Sequence, residues 1–195
     1  TPVVRRFVAY TAGSMVAISV VLASAIVWFE ERLAVSGSWY GLSMAAYGIG
    51  TTLGLAWAGG RSWKISLPRL LVFVAPIYAA SNLLGVVALE PWLLGVGWLV
   101  WGVAYGPEMV LGELLVVRSV PEVLRGRAFA AYAVVVLLGS ATGYALAGPL
   151  LEAFGPRATI AWTSVALLVL GALWLIPSRP AWRRSVALDT VAGVG

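Results

Sequence analysis

Six apolar stretches, each close to the ~20 residues that an α-helix needs to cross ~30 Å of hydrocarbon, set the terms for this chain. They are Phe7–Phe29, Trp39–Gly59, Leu70–Leu89, Trp92–Val117, Ala128–Leu151 and Ala158–Ile176. The polar residues inside them are mostly Ser, Thr, Tyr, Gly and Pro, which a membrane helix tolerates because its backbone bonds close within the segment. A soluble domain is about a quarter charged. These 195 residues are 11% charged and 61% hydrophobic, with a mean hydropathy of +0.94, more apolar surface than one water-facing core hides. The pattern predicts an all-α membrane protein: a six-span bundle over residues 1–177 and a cytoplasmic tail over 178–195.

What the chain lacks narrows its chemistry. It has no cysteine and no histidine, so the usual ligands for zinc, haem or di-iron and the commonest general base are missing. An intramembrane serine protease would want a Ser–His dyad. No cofactor, metal site or enzymatic activity is expected. Arg5-Arg6 before an apolar run has the look of a secretion signal, but five more runs follow, so the first run reads as a membrane helix.

The net charge of +5 does not indicate nucleic acid, because the cations lie between the apolar runs. Arg5, Arg6, Arg61, Lys64, Arg69, Arg118, Arg125, Arg127, Arg179, Arg183 and Arg184 fall on one side, and only Arg32 and Arg157 on the other. Eleven against two places both termini in the cytoplasm of a cell, or inner, membrane. Trp28, Trp39 and Trp92 then sit at the outer boundary and Trp63 and Trp174 at the inner one, as an aromatic belt requires.

An internal repeat adds architecture. The second run holds Gly50-x-x-x-Gly54-x-x-x-Ala58-Gly59, and the fifth holds Gly139-x-x-x-Gly143-x-x-x-Ala147-Gly148. Residues four apart share a helix face, so each strip lets another helix approach closely. Such strips are common in glycine-rich membrane helices. Here they fall in equivalent positions if the chain is two three-helix units, about 7–89 and 92–176. The second run points inward and the fifth outward, which makes the units inverted, as in secondary transporters that alternate access around a central site.

A charge inside the membrane is costly and usually has a task. Only Glu108 and Glu113 qualify, both in the fourth run. Pro107 precedes Glu108, so a kink that frees the Val103 carbonyl is expected. Trp101, Tyr105, Glu108 and Gly112 share a face by their spacing. Three readings are open: a cavity carboxylate that holds a proton or cation between aromatic walls, a buried glutamate paired for packing, or a side chain snorkelling along lipid. Tyr10, Thr11 and Ser14 either line the same cavity or bond back to their own helix. Asn82 and Pro76 in the third run suit packing. Glu113 is expected in a cluster with Arg118, Arg125, Arg127 or the second-loop cations, structural or latching a cytoplasmic gate.

These residues carry a family resemblance. Val120-Pro121-Glu122-Val123-Leu124-Arg125-Gly126-Arg127-Ala128-Phe129 resembles the VPxxxRGRxF segment between the fourth and fifth helices of a half in the major facilitator superfamily, more particularly in the C-terminal half of bacterial drug- and siderophore-exporter-like members. Tyr40-Gly41-Leu42 through Gly59, Gly148-Pro149 and Gly155-Pro156-Arg157 are similar to the flanks of that pattern. The family's second loop usually reads G-x-x-x-D-R-x-G-R-R. Here Trp63 stands in the aspartate position, which suits a C-terminal half and removes an aspartate latch.

The resemblance implies half of a twelve-helix transporter. In it, spans one and four line the central path, two and five face the partner half, and three and six face lipid. Glu108 would then face the cavity, and the glycine strips the seam between halves. The function expected is secondary transport, as proton-coupled efflux of small amphipathic or cationic molecules. Its partners would be the bilayer, the other six-helix half and a small-molecule substrate, with no nucleic acid. The alternative is a six-span scaffold or assembly subunit that transports nothing.

Overall fold

Where one apolar run follows another, the chain forms a helix and then turns. The computed structural model describes the backbone of residues 2–31, 37–59, 67–87 and 90–192. Within it lie α1 (Pro2–Glu31), α2 (Gly37–Gly59), α3 (Leu67–Val87), α4 (Pro91–Ser119), one turn of 3-10 helix (Glu122–Leu124) and α5 (Arg125–Ala192). Arg32, Arg61, Trp63 and Lys64 lie outside the described residues, as do the side chains of Arg69, Trp174, Arg179, Arg183 and Arg184. The backbone of α5 stays helical to Ala192, through most of the segment read as a tail.

Among the described residues three stretches are long and apolar enough to cross a membrane by length and composition: Val4–Glu31, Pro91–Ser119 and Glu122–Leu173. The sequence leads one to expect six. Glycine, serine and threonine dilute α2, Phe73–Leu84 is the apolar stretch among the described residues of α3, and Glu122–Leu173 takes in the fifth and sixth runs on either side of Gly155. The 52 residues of Glu122–Leu173 would extend ~78 Å as a straight helix, far more than a bilayer core.

They do not run straight. Gly155 has φ 73° and ψ 167°, a conformation open chiefly to glycine. The Thr159 hydroxyl, just past it, lies 3.1 Å from the Leu150 carbonyl oxygen and 2.8 Å from that of Gly155. Nine residues of unbroken helix would separate Thr159 from Leu150 by ~14 Å, so α5 doubles back here into two arms, residues 125–154 and 156–192. The arms return to the same level of α1: Gly139 meets Ala12, and Leu170 meets Gly13.

The turn between α4 and α5 follows from Pro121. A residue before proline is pushed out of the helical region, and Val120 is extended at φ −126°, ψ 132°. The Leu124 amide then donates to the Pro121 carbonyl at 2.9 Å, and the next helix starts at Arg125.

Direction and packing come from close backbone contacts. A methyl group on Gly50 would sit 2.1 Å from the Leu99 carbonyl oxygen, and one on Gly54 2.4 Å from that of Val103. In return, Gly102 would clash with the Tyr47 carbonyl at 2.2 Å and Gly106 with the Leu55 amide at 2.5 Å. Contacts climb together along both chains, so α2 and α4 are parallel and interlocked by four glycines. The first arm of α5 lies parallel to α1 in the same manner, with Gly139 at Ala12 and Gly143 at Val16. By contrast α3 is antiparallel to α4, since Gly97 meets Ser81 while Trp101 meets Tyr78. α3 also touches the second arm of α5, where Gly171 meets Ala75. The helices thus alternate in direction.

Lipid offers no hydrophobic drive between helices, so such close packing of small residues is what holds a bundle of this kind together. α4 remains helical through Pro107. The Val103 carbonyl, which proline leaves without its amide partner, is the group that Gly54 approaches, and the Pro107 ring packs on the same glycine.

The glycine strips therefore pack inside this bundle, against α4 and α1, and not on the faces that were expected to form a seam between halves. The open face of α2 carries Leu42, Ile49, Leu53 and Trp57, and that of α5 Leu137, Leu138 and Trp162. Gly148 stands apart from its strip, exposed and with open space around it.

Replacing Gly54 by Ala should lower stability in detergent by ~1–3 kcal/mol, the usual cost of overpacking, whereas Gly148→Ala should leave it unchanged. Unfolding in a denaturing detergent measures both.

Candidate functional site

Glu108 is 7% exposed and sits where α1, α3 and α4 meet. The Tyr78 hydroxyl, from α3, donates to its Oε2 at 2.5 Å, and the Tyr10 hydroxyl, from α1, reaches the same carboxylate. Tyr78 and Tyr10 are themselves buried. Helix spacing builds this meeting point. Trp101, Tyr105, Glu108 and Gly112 share one face of α4, and glycine at 112 leaves room for Phe7, whose Cζ would lie 2.5 Å from a methyl there.

Aromatic rings surround the carboxylate on both sides. Toward one end Tyr78 packs edge-on to Trp101 at 5.9 Å, Trp101 to Trp98 at 6.2 Å, and Trp98 to Tyr40 at 5.6 Å. Tyr47 from α2 lies 5.3 Å from Trp101 and 6.0 Å from Tyr105. Toward the other end Phe7 lies 6.5 Å from Tyr10 and stacks on Tyr132 of α5 at 6.2 Å. All five helices contribute a ring. Edge-to-face pairs of this kind are worth ~0.5–1.5 kcal/mol beyond the area they bury.

The residues singled out from sequence part company here. Glu108, Trp101, Tyr105 and Tyr10 come together. Their setting differs from the open cavity wall expected of them: Trp101 and Glu108 face the interior of this bundle, because the face of α4 that carries them is covered by α1 and α3. Ser14 is buried but donates to the Thr11 carbonyl at 3.0 Å, one turn back on its own helix. Thr11 is buried as well. In α3, Pro76 is exposed and Asn82 buried.

Of the gate charges, the second-loop cations Arg61 and Lys64 and the side chain of Arg69 lie outside the described residues. Glu113, Arg118 and Arg127 are exposed and Arg125 partly so. Among the described residues Glu113 forms no ion pair with the three arginines, its position ~140° around the helix from Glu108 turning it toward the surface.

Tyr78 is the site residue that sequence reasoning missed. Its own helix gives it no distinguishing spacing, since a lone tyrosine in an apolar run reads as core. Only the antiparallel pairing of α3 with α4 brings it to Glu108. Chemically, a carboxylate with two phenol donors in an apolar shell can take up and release a proton, and as an anion it accepts both bonds.

Fold and site together define a helical membrane protein with, among its described residues, one buried acid. The chain belongs to the Major Facilitator Superfamily, whose family profile matches residues 6–189. It is also 26% identical over 200 residues to "D-xylose-proton symporter-like 3, chloroplastic" of Arabidopsis thaliana, an alignment that takes in 95% of this chain and 32% of the relative. The chain thus spans about a third of the length of the curated relative it matches.

Tyr78→Phe removes the bond from α3 and should cost ~1.5–3 kcal/mol, the range for a hydrogen bond to a charged group. Tyr144→Phe, at an exposed position, should cost nothing measurable. Thermal unfolding in micelles compares the two.

Proposed function

We propose that this chain is the C-terminal six-helix half of a proton-coupled secondary transporter, with Glu108 as its proton-carrying group. The observation that carries the reading is the burial of this single acid among Tyr10, Tyr78 and Trp101 in a chain of a superfamily of transporters. An acid placed so far from water is expensive to keep, and packing alone would be served by a glutamine or a leucine.

The two arms of α5 count as the fifth and sixth crossings. With them the pairing of α2 with α4 has its counterpart in that of the first arm with α1, which supports two inverted three-helix units over 7–89 and 92–176. The arginine asymmetry supports cytoplasmic termini and a cell (inner) membrane. The other six-helix half, upstream in the same chain or a second copy, supplies the remaining wall of the central path.

For direction, the exporter-like segment 120–129 favours efflux of small amphipathic or cationic molecules in exchange for protons. The name of the Arabidopsis relative favours a second reading, uptake of a sugar together with a proton.

Glu108→Gln in the full-length protein should reduce proton-driven accumulation by about tenfold or more, a loss of ~1.4 kcal/mol or more in coupling, while substrate exchange without a gradient persists. Unchanged coupling would remove Glu108 from the mechanism. In proteoliposomes with a pH-sensitive dye inside, substrate added outside should make the lumen alkaline for exchange and acid for symport. A complete absence of flux would favour the scaffold alternative.

A further inference from the structure

The bundle is not uniformly knit. α2 is fastened to α4, and α1 to the first arm of α5, by glycines whose Cα atoms lie against the partner's backbone. Between these two pairs contact is slight: α1 touches α2 and α4 only at a few positions. α3 touches both pairs, on α4 through the Ser81 backbone at Gly97 and on the second arm of α5 through the Ala75 side chain at Gly171, so it goes with the first pair. Backbone packed on backbone leaves no give within a pair. Side-chain contact between pairs can shift, as helices commonly do by ~1–2 Å at interfaces that switch.

The hydrogen bonds of the site already described join these groups. Tyr10 stands on α1, Glu108 on α4, and Tyr78 on α3. We propose that Tyr10, Glu108 and Tyr78 form a clamp between two groups of helices, α2–α4 with α3 and α1 with α5, and that the groups move against each other when the carboxylate takes up a proton.

The proposal rests on Glu108 being the proton-carrying group and goes beyond it by locating a movement inside the half. As an anion, Glu108 accepts charge-assisted bonds from both phenols, which are about twice as strong as neutral ones. A proton taken from water forms an O–H bond on one carboxylate oxygen and cancels that charge. Both bonds to tyrosine weaken, no other covalent bond changes, and the proton later returns to water. The groups that face Glu108 are Tyr10 from α1, Tyr47 from α2, Tyr78 from α3, Tyr105 on its own helix and Tyr132 from α5. Among these described groups no cation holds the acid, and the next acid along α4, Glu113, is exposed. The phenols are therefore what the anion holds on to.

Spin labels on the full-length protein test this at one end of the bundle, where Glu30 of α1, Leu42 of α2, Trp92 of α4 and Phe154 of α5 are all exposed. Lowering the pH should shift the between-pair distance Glu30–Trp92 by ~1–2 Å and leave the within-pair distances Leu42–Trp92 and Glu30–Phe154 unchanged. Glu108→Gln, and the double variant Tyr10→Phe with Tyr78→Phe, should show the acid-pH distance at every pH. Should the double variant fail to fold, Tyr10→Phe alone should shift the distance part of the way. A Glu30–Trp92 distance that is the same at all pH values, or unmoved by the tyrosine variants, would overturn the clamp. If Glu108→Gln abolishes coupling while that distance stays fixed, the clamp fails and the proton-carrying role stands. If coupling survives Glu108→Gln, the role itself fails.

Discussion

Backbone-to-backbone contact at glycine is the interaction on which this structure depends. In water, burial of apolar side chains would drive the helices together; in hydrocarbon that drive vanishes, and what remains is dispersion at short range. Gly50 and Gly54 on α2 and Gly102 and Gly106 on α4 bring two helices close enough that any side chain would strike a carbonyl or amide of the partner. Pro107 adds to this rather than disturbing it. The carbonyl it leaves free points at Gly54, where no methyl group blocks it.

From that packing the rest of the interior follows. Once α2 lies in the groove of α4, the opposite face of α4 carries Trp101, Glu108 and Gly112 toward α1 and α3, which must supply the rings and hydroxyls that such a face needs. Phe7 fills the space above Gly112, and Tyr78 and Tyr10 supply donors for the acid. An acid in this position without donors would be costly to keep. With them it is held, and the same bonds give it the means to respond to a proton.

The site was legible in part. A lone acid at mid-membrane after a proline is visible in one dimension, and so is the face it shares with Trp101 and Tyr105, because helical spacing is fixed. Tyr10 was within reach of the same reasoning, as a polar residue deep in the first run. Tyr78 was not, because the register between α3 and α4 is set by the Ser81–Gly97 approach, and no local pattern in the third run encodes it. Glu113 and Arg118 make the contrasting case: they are close in sequence, yet five positions along a helix set them ~140° apart, and both are exposed.

Composition and periodicity determined that this chain is a helical membrane protein, where its helices run, that glycine would set their closest contacts, and that Glu108 would be the residue to explain. They could do so because lipid imposes the same demand on every crossing segment: apolar side chains and a backbone satisfied within itself. Tertiary structure decided which helix each glycine strip meets, how the chain turns back at Gly155 between the fifth and sixth runs, and that the acid faces inward to two tyrosines. Those outcomes rest on contacts between residues far apart in the chain, and their register is set by shape, which a one-dimensional pattern does not carry.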